Sequence, residues 1–201
     1  MGAGLVLASL LLAEPGKAQI ARAPVVWVRH GIYHVVVRFL VHAPVDRVFA
    51  ALTDYRHLRR LNPEVRASTI LGFPAPGHTL VQVEIRSCIL FVCFHVRQTD
   101  DMTTRRDREI DGRIVPRLSN LRYGYAHWRL AAAGNATRVR LSSAVEPDFF
   151  IPPLIGPFIL RAKLRHEIRV TVRGLTACVQ NPDTASARSG GMPGSRPTDH
   201  P

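Results

Sequence analysis

Residues 41–65 read VHAPVDRVFAALTDYRHLRRLNPEV, and the hydrophobic rhythm changes inside them. Upstream, Ile32 to Val41 alternates Tyr33, Val35, Val37, Phe39 and Val41 against His34, Arg38 and His42, the period-two pattern of a half-buried strand. Past Ala43-Pro44 the apolar residues Val45, Val48, Phe49 and Leu52 recur at helical spacing. Pro44 suits a helix start, where its missing N–H costs nothing, and Asp46 in the first turn suits the helix dipole. A strand therefore runs directly into a helix ending near Asp54. A second short helix is expected over Tyr55 to Leu61, carrying Arg56, Arg59 and Arg60, with Asn62-Pro63 as its stop.

Downstream, the chain reads as successive strands as far as Glu146. Val65 to Phe73 is one; after the turn ProAlaProGly at 74–77, Thr79 to Cys88 is the next, with Val81, Val83 and Ile85 opposite Gln82, Glu84 and Arg86. Cys93 to Gln98 follows. Between Thr103 and Leu118 the pair Asp111-Gly112 fits either a tight hairpin or a bulge within one strand. Leu121 to Leu130 and Thr137 to Val145 complete the set, joined by a turn at Gly134-Asn135.

Strand parity makes a statement about two of the three cysteines. Cys88 shares the face of Glu84 and Arg86, and Cys93 that of His95 and Arg97, so both sulfurs point away from the core. A turn centred on Leu90-Phe91 makes them directly opposed partners, at a separation a disulfide tolerates; two free thiols in a sheet are the alternative. No Cys/His cluster has metal-ligand spacing, so neither a metal nor a cofactor is expected.

The closing segment from about Pro153 to Val179 reads as one long helix whose first turns are set by Pro152, Pro153 and Pro157. Leu164, Ile168, Val172, Leu175 and Val179 form its apolar ridge. Arg161, Arg165, Arg169 and Arg173 form a second ridge about 60° round the helix, which is either a solvated face or a contact for an anionic membrane surface.

Both ends of the 201-residue chain look removable. Residues 4–13, GLVLASLLLA, form an apolar run of signal-peptide length, followed by small-x-small patterns at Gly16-Lys17-Ala18 and Ala21-Arg22-Ala23. Residues 1–23 are thus expected to be a signal peptide directing the chain to the periplasm or outside the cell, although no Lys or Arg precedes the run; a buried N-terminal helix is the alternative. Residues 181–201, rich in Pro, Gly, Ser and Thr, are expected to be a disordered tail. What remains is about 155 residues, enough for one core. The net charge of +12 raises nucleic acid as a partner, but the basic residues are not interleaved with exposed aromatics and no nucleic-acid partner is expected.

The order strand, two short helices, antiparallel strands and one long C-terminal helix resembles the helix-grip fold, an α+β architecture. VHAPVDRVFAALTDYRHLRRLNPEV, the segment Gly124 to Leu130 with the turn and strand after it, and the closing helix are similar to the START-like (SRPBCC) superfamily of polyketide cyclases and coenzyme-Q-binding START domains. The resemblance covers residues 32–179; CILFVC and PPLIGP look like features of an exported bacterial branch. It implies a curved sheet with the long helix across its concave face and a cavity between them for a hydrophobic small molecule. On the strand parities above, the inner faces carry Val37, Phe39, Val83, Phe94, Trp128, Val139 and Leu141, with Phe158 and Ile159 added by the helix, as the expected ligand-binding lining. A close-packed core would show the same apolar pattern.

Two classes of function follow. A non-enzymatic carrier or sensor of a lipid, isoprenoid or quinone-like molecule would bind by burial of apolar surface. A cyclase, aromatase or hydrolase would need an acid or base facing the cavity, and parity turns His34, His95 and Arg97 outward and puts Tyr123, Tyr125 and His127 on the face opposite Trp128. Asp54 reads as a helix-end residue. A module that modulates another protein is a third reading. The oligomeric state is not written in the sequence.

Overall fold

The alternation in Ile32–Val41 buries Tyr33, Val35, Val37, Phe39 and Val41, none more than 3% exposed, in a computed structural model that describes residues 19–89, 92–148 and 156–180. This strand, β2, gives way after Pro44 to helix α1, Val45–Thr53, which buries Val48 and Leu52 and carries Asp46 in its first turn. Asp54 caps the end of α1, and its carboxylate meets His57 Nδ1 at 2.7 Å. The expected second helix is shorter than the sequence suggests: a single 3-10 turn, Leu58–Arg60. Tyr55 and His57 are taken up by the turn after α1, in which the His57 N–H donates to the Asp54 carbonyl, and Pro63 lies just beyond, so no further helical turn fits.

The strands are β1 (Gln19–Arg29), β2 (Ile32–Val41), β3 (Val65–Gly72), β4 (His78–Ile89), β5 (Val92–Arg105), β6 (Glu109–Ile114), β7 (Leu121–Ala133) and β8 (Ala136–Pro147). They form one curved antiparallel sheet in the order β1-β2-β8-β7-β6-β5-β4-β3. From β3 to β8 each strand pairs with its sequence neighbour, while β2 pairs with β8. The chain must therefore travel from β2 to the far edge before β3 begins, and α1 and the 3-10 turn are the segment that makes the journey.

Two features depart from the sequence reading. β1 is an additional edge strand, paired with β2 through the turn at His30-Gly31; it begins at Gln19, inside the segment expected to be a signal peptide, whose first 18 residues lie outside the described ones. Its VVWV run lacks alternation, because an edge strand leaves Val25 and Trp27 exposed on its outer side. Second, Asp111-Gly112 is neither a hairpin nor a bulge but lies inside β6, and the reversal falls at Arg106 to Arg108, with Asp107 in the left-handed region at φ 57°. The glycine leaves room for the Met102 side chain on the neighbouring strand, whose Sδ would stand 2.7 Å from a Cβ there.

Helix α2, Gly156–Gln180, packs against β1, β2, α1 and the 3-10 turn. Pro152 and Pro153, its expected first residues, lie outside the described residues, as does the tail after 180. Its C-terminal half contributes Val172, Leu175 and Val179 to a buried cluster with Val37, Phe39, Val41, Val48 and Leu52. Contact is close enough that a Cβ on Gly174 would meet the Leu61 carbonyl oxygen at 2.2 Å, so only glycine permits this crossing. The Thr137 hydroxyl donates to the Ala43 carbonyl at 2.8 Å and fixes β8 to the turn that starts α1.

Candidate functional site

Strand register sorts the inner face of the sheet into transverse rows. One row holds Val37, Leu141, Trp128 and Ile110, and beside it Phe39, Val139 and Leu130 lie under the C-terminal half of α2. Two steps away, Tyr33 opposes Val145 and Val145 opposes Gly124, while Ile114 opposes Asp100 and Asp100 opposes Val81. Ile114 closes over Gly124 and joins these into one row. This row belongs to the end covered by the N-terminal half of α2, where Arg161 lies near enough to Tyr33 for its charge to oppose the rise that burial imposes on the phenol pKa.

Side chains at this second end face inward without being fully covered. Gln98, Met102, Ala126, Ser143 and Val145 of the sheet, and Ile159, Leu164 and Ile168 of α2, are all half-buried. Of these, Met102, Ala126 and Ile168 pack against the buried cluster beneath α2 while keeping part of their surface accessible, and the others stand outside that cluster.

Into this apolar region the fold sets three polar groups. Asp100 is 7% exposed and Tyr55 8%, and Gln98 Nε2 donates to Asp100 Oδ2 at 2.7 Å. Burial pushes the Asp100 carboxyl up to about 6, with the Gln98 hydrogen bond pulling the other way. Tyr55 packs on Val65, Val81 and Val83; burial and then the nearby Asp100 charge push its phenol up to about 12. Its hydroxyl is buried without a hydrogen-bond partner among the described residues. An inward-facing acid, absent from the sequence reading, is thus supplied by Asp100. The sequence reading stops the fifth strand at Gln98, whereas β5 continues to Arg105, and extending the alternation Phe94, Val96, Gln98 by one step would have placed Asp100 inside.

The N-terminal half of α2 is held by polar ties. Lys163 reaches the Glu64 and Glu167 carboxylates, the latter at 2.8 Å, and Asn62 Nδ2 donates to Glu167 Oε2 at 2.8 Å and to Thr171 Oγ1 at 3.3 Å. Burial alone would lower the Lys163 pKa, but the hydrogen bonds to Glu167 and Glu64 outweigh it and the net shift is upward.

The residues expected to line a ligand site fall into groups. Val37, Phe39, Val139 and Leu141 sit in the buried cluster beneath α2, and Val83 in the smaller cluster with Tyr55. Trp128, Phe94 and Ile159 are half-buried. Phe158, expected to face inward, is instead 72% exposed. Its position, two residues into α2 and off the Leu164–Ile168–Val172 ridge, turns it to the outside. Of the arginine row, Arg165, Arg169 and Arg173 are exposed and Arg161 is half-buried.

On the outer face, Cys88 opposes Cys93 and the two form a disulfide; the tip residues 90–91 lie outside the described ones. His127 is also outside, its Nδ1 paired with the Asp111 carboxylate and its Nε2 beside Arg129 Nε at 2.7 Å, and Tyr123 is 45% exposed. A cleft of about 520 Å³ is lined by Arg66, Glu84, His95, Arg97, Arg117 and Asn120 together with Ile85, Val96 and Leu118, and Ile85 also packs against the Tyr55 cluster. Among the described residues no helix is long and apolar enough to cross a membrane, and no group of His, Cys, Asp or Glu could hold a metal ion.

Comparison with solved structures finds the same architecture at low identity. A protein from Thermus thermophilus, TTHA0849, aligns with a TM-score of 0.62 at 16% identity, over 75% of this chain and 99% of that one. The Zhui aromatase/cyclase from Streptomyces sp. R1128 gives 0.63 at 16% identity, over 80% and 99%. A START superfamily protein from Mycobacterium smegmatis gives 0.61 at 14%, over 74% and 98%. No curated protein sequence matches the chain. At these identities the structures establish the fold, a START-like helix grip. Residues 33–180, nearly all of the described domain, match the sequence family described as polyketide cyclase / dehydrase and lipid transport, and the chain belongs to that family.

Proposed function

We propose that this protein binds and carries a hydrophobic small molecule, of lipid, isoprenoid or quinone-like character, in the space between the sheet and the N-terminal half of α2. The observation that carries the reading is the contrast along the inner face: Val37, Val139 and Leu175 are at most 2% exposed, while inward Val145, Ile159 and Leu164 remain half-buried and stand outside that cluster. Binding is driven by removal of apolar ligand surface from water, at roughly 25 cal/mol per Å². The exposed arginines of α2 steer the loaded or empty protein to an anionic bilayer surface. The Cys88–Cys93 disulfide is consistent with an oxidising compartment, and an export signal would fall in the residues that precede β1. Native mass spectrometry of freshly purified protein tests the reading: a co-purifying apolar adduct lost on organic extraction supports it. Protein that carries no adduct and takes up no apolar fluorophore would sink it.

A second reading, a cyclase-like enzyme, is favoured by Asp100. A buried carboxyl poised at about 6 beside a phenol is suited to move a proton at neutral pH. Turnover of an enolisable polyketide-like substrate, abolished in Asp100→Asn, would establish it; turnover equal in both proteins would exclude it.

A further inference from the structure

We propose that the cleft beside the Cys88–Cys93 hairpin is a binding site for a phosphate monoester, held by Arg66, Arg97 and Arg117. The inference does not depend on the ligand-binding reading of the interior, because Gln82, Glu84, His95 and Arg97 bring the outer face of β4 and β5 to this cleft.

The cleft has a volume of about 520 Å³, inside the roughly 300 to 1,000 Å³ typical of small-molecule sites. One wall is a loop built onto β5. Pairing of β6 with β5 begins only at Asp100, so His95 to Thr99 have no strand on that side, and residues 115–120 take its place. The Arg97 N–H donates to Asn120 Oδ1 at 2.9 Å, Asn120 Nδ2 donates to the His95 carbonyl at 2.7 Å, and the Thr99 N–H donates to Ser119 Oγ at 2.9 Å. The wholly buried Thr99 hydroxyl donates to the Leu118 carbonyl at 3.0 Å. These bonds fix the wall without drawing on any guanidinium group.

Arginines reach the cleft from three separate parts of the chain: Arg66 on β3, Arg97 on β5 and Arg117 in a 3-10 turn, Pro116–Leu118. None of the three pairs with a carboxylate among the described residues, whereas Arg105, Arg122 and Arg129 elsewhere on the surface each do. Against three arginines the lining sets one carboxylate, Glu84, which with His95 neutral leaves two net positive charges. Like charges around one concavity repel each other, and an anion in the cleft removes that cost. A carboxylate brings two oxygens and one charge, which a single arginine satisfies. A phosphate monoester brings three oxygens and close to two negative charges at pH 7.5, which matches the excess. Ile85, Val96 and Leu118 supply an apolar part of the lining for the body of the ester. A soluble ester and a phosphatidate headgroup share this chemistry, and the test separates them.

The test is isothermal titration calorimetry of the full chain with phenyl phosphate at pH 7.5 and low salt, with benzoate as the singly charged comparison. Phenyl phosphate is expected to bind about tenfold more tightly than benzoate. Arg97→Ala and Arg117→Ala should each weaken phenyl phosphate about tenfold, and Glu84→Gln should tighten it about threefold. Arg140→Ala, which removes a charge on β8 away from the cleft, should leave it unchanged; all four side chains are exposed, so the fold tolerates their loss. No binding of phenyl phosphate, benzoate binding as tightly, or a loss in Arg140→Ala as large as that in Arg97→Ala overturns the site. Co-sedimentation with phosphatidylcholine vesicles carrying phosphatidate then names the source. A loss in Arg97→Ala that Arg140→Ala lacks supports the site with a lipid headgroup in it, and equal sedimentation of the two, beside the calorimetric difference, supports it with a soluble ester.

Discussion

The two halves of α2 lie over one sheet and are held there by different forces. From Val172 to Val179 the helix presents residues buried to 5% exposure or less, against β2, β8 and α1, with Gly174 pressed onto the Leu61 carbonyl. From Ile159 to Ile168 its inward residues are half-buried, and Lys163, Glu167 and Thr171 tie it to Asn62 and Glu64. The lesson is a division of labour. Dense apolar packing holds one half, and polar ties hold the other above inward residues that keep part of their surface accessible.

The comparison can be broken by truncating one residue in each half. Leu175→Ala, at a wholly buried position, should cost about 3 kcal/mol, and Ile168→Ala about 1 kcal/mol, measured by urea unfolding. Equal costs would mean that both halves are packed alike.

The charge of Asp100 sharpens the same contrast. Its carboxyl is raised from 3.8 to about 6 by burial, so between those values the folded state holds a proton that the unfolded chain releases, and stability falls as pH rises through that window. The penalty is fully present above pH 6 and relieved below 3.8. Asp100→Asn removes it, so the variant's stability advantage over the native protein should be larger at pH 7.5 than at pH 4 by about 2 kcal/mol. An advantage that does not change with pH would show Asp100 to be solvated.

Lys163→Ala leaves the Glu64 and Glu167 carboxylates facing each other across the helix–strand junction. A loss of about 2 kcal/mol is expected, together with faster hydrogen exchange confined to the first half of α2. Exchange that rises equally in both halves would show that the helix opens as one unit. The smallest effect concerns the outer face: Arg165→Ala should lower affinity for anionic vesicles by about 1 kcal/mol and leave unfolding unchanged, because the side chain is exposed.

Much of this architecture was legible in local pattern. The switch from period two to helical spacing at Ala43-Pro44 marks the passage from β2 to α1, and the ridge Leu164 to Val179 marks α2, because a face that must be buried leaves its periodicity in the sequence. Parity put Cys88, Cys93 and His127 outside, and a turn centred on Leu90-Phe91 set the two cysteines opposite each other. Where pattern failed, tertiary contact had overridden it. Asp111-Gly112 fitted a hairpin or a bulge and lies instead in regular pairing inside β6, with Gly112 opposite Met102, and the VVWV run of β1 shows no alternation because an edge strand leaves apolar side chains exposed. Asp100 was missed because the polar run Gln98 to Asp101 resembles the end of a strand, although β5 passes straight through it.

The sequence by itself determined most of the elements, most of their faces and the family, since each depends on spacing along the chain; β1, the full length of β5 and the outward turn of Phe158 were not among them. Only the tertiary structure decided which inward residues are fully buried and which keep accessible surface, and that Tyr55 and Asp100 are both buried around Val81. Those facts arise from α1, β5 and α2 converging from distant parts of the chain, and burial at such a junction depends on neighbours that no local pattern encodes.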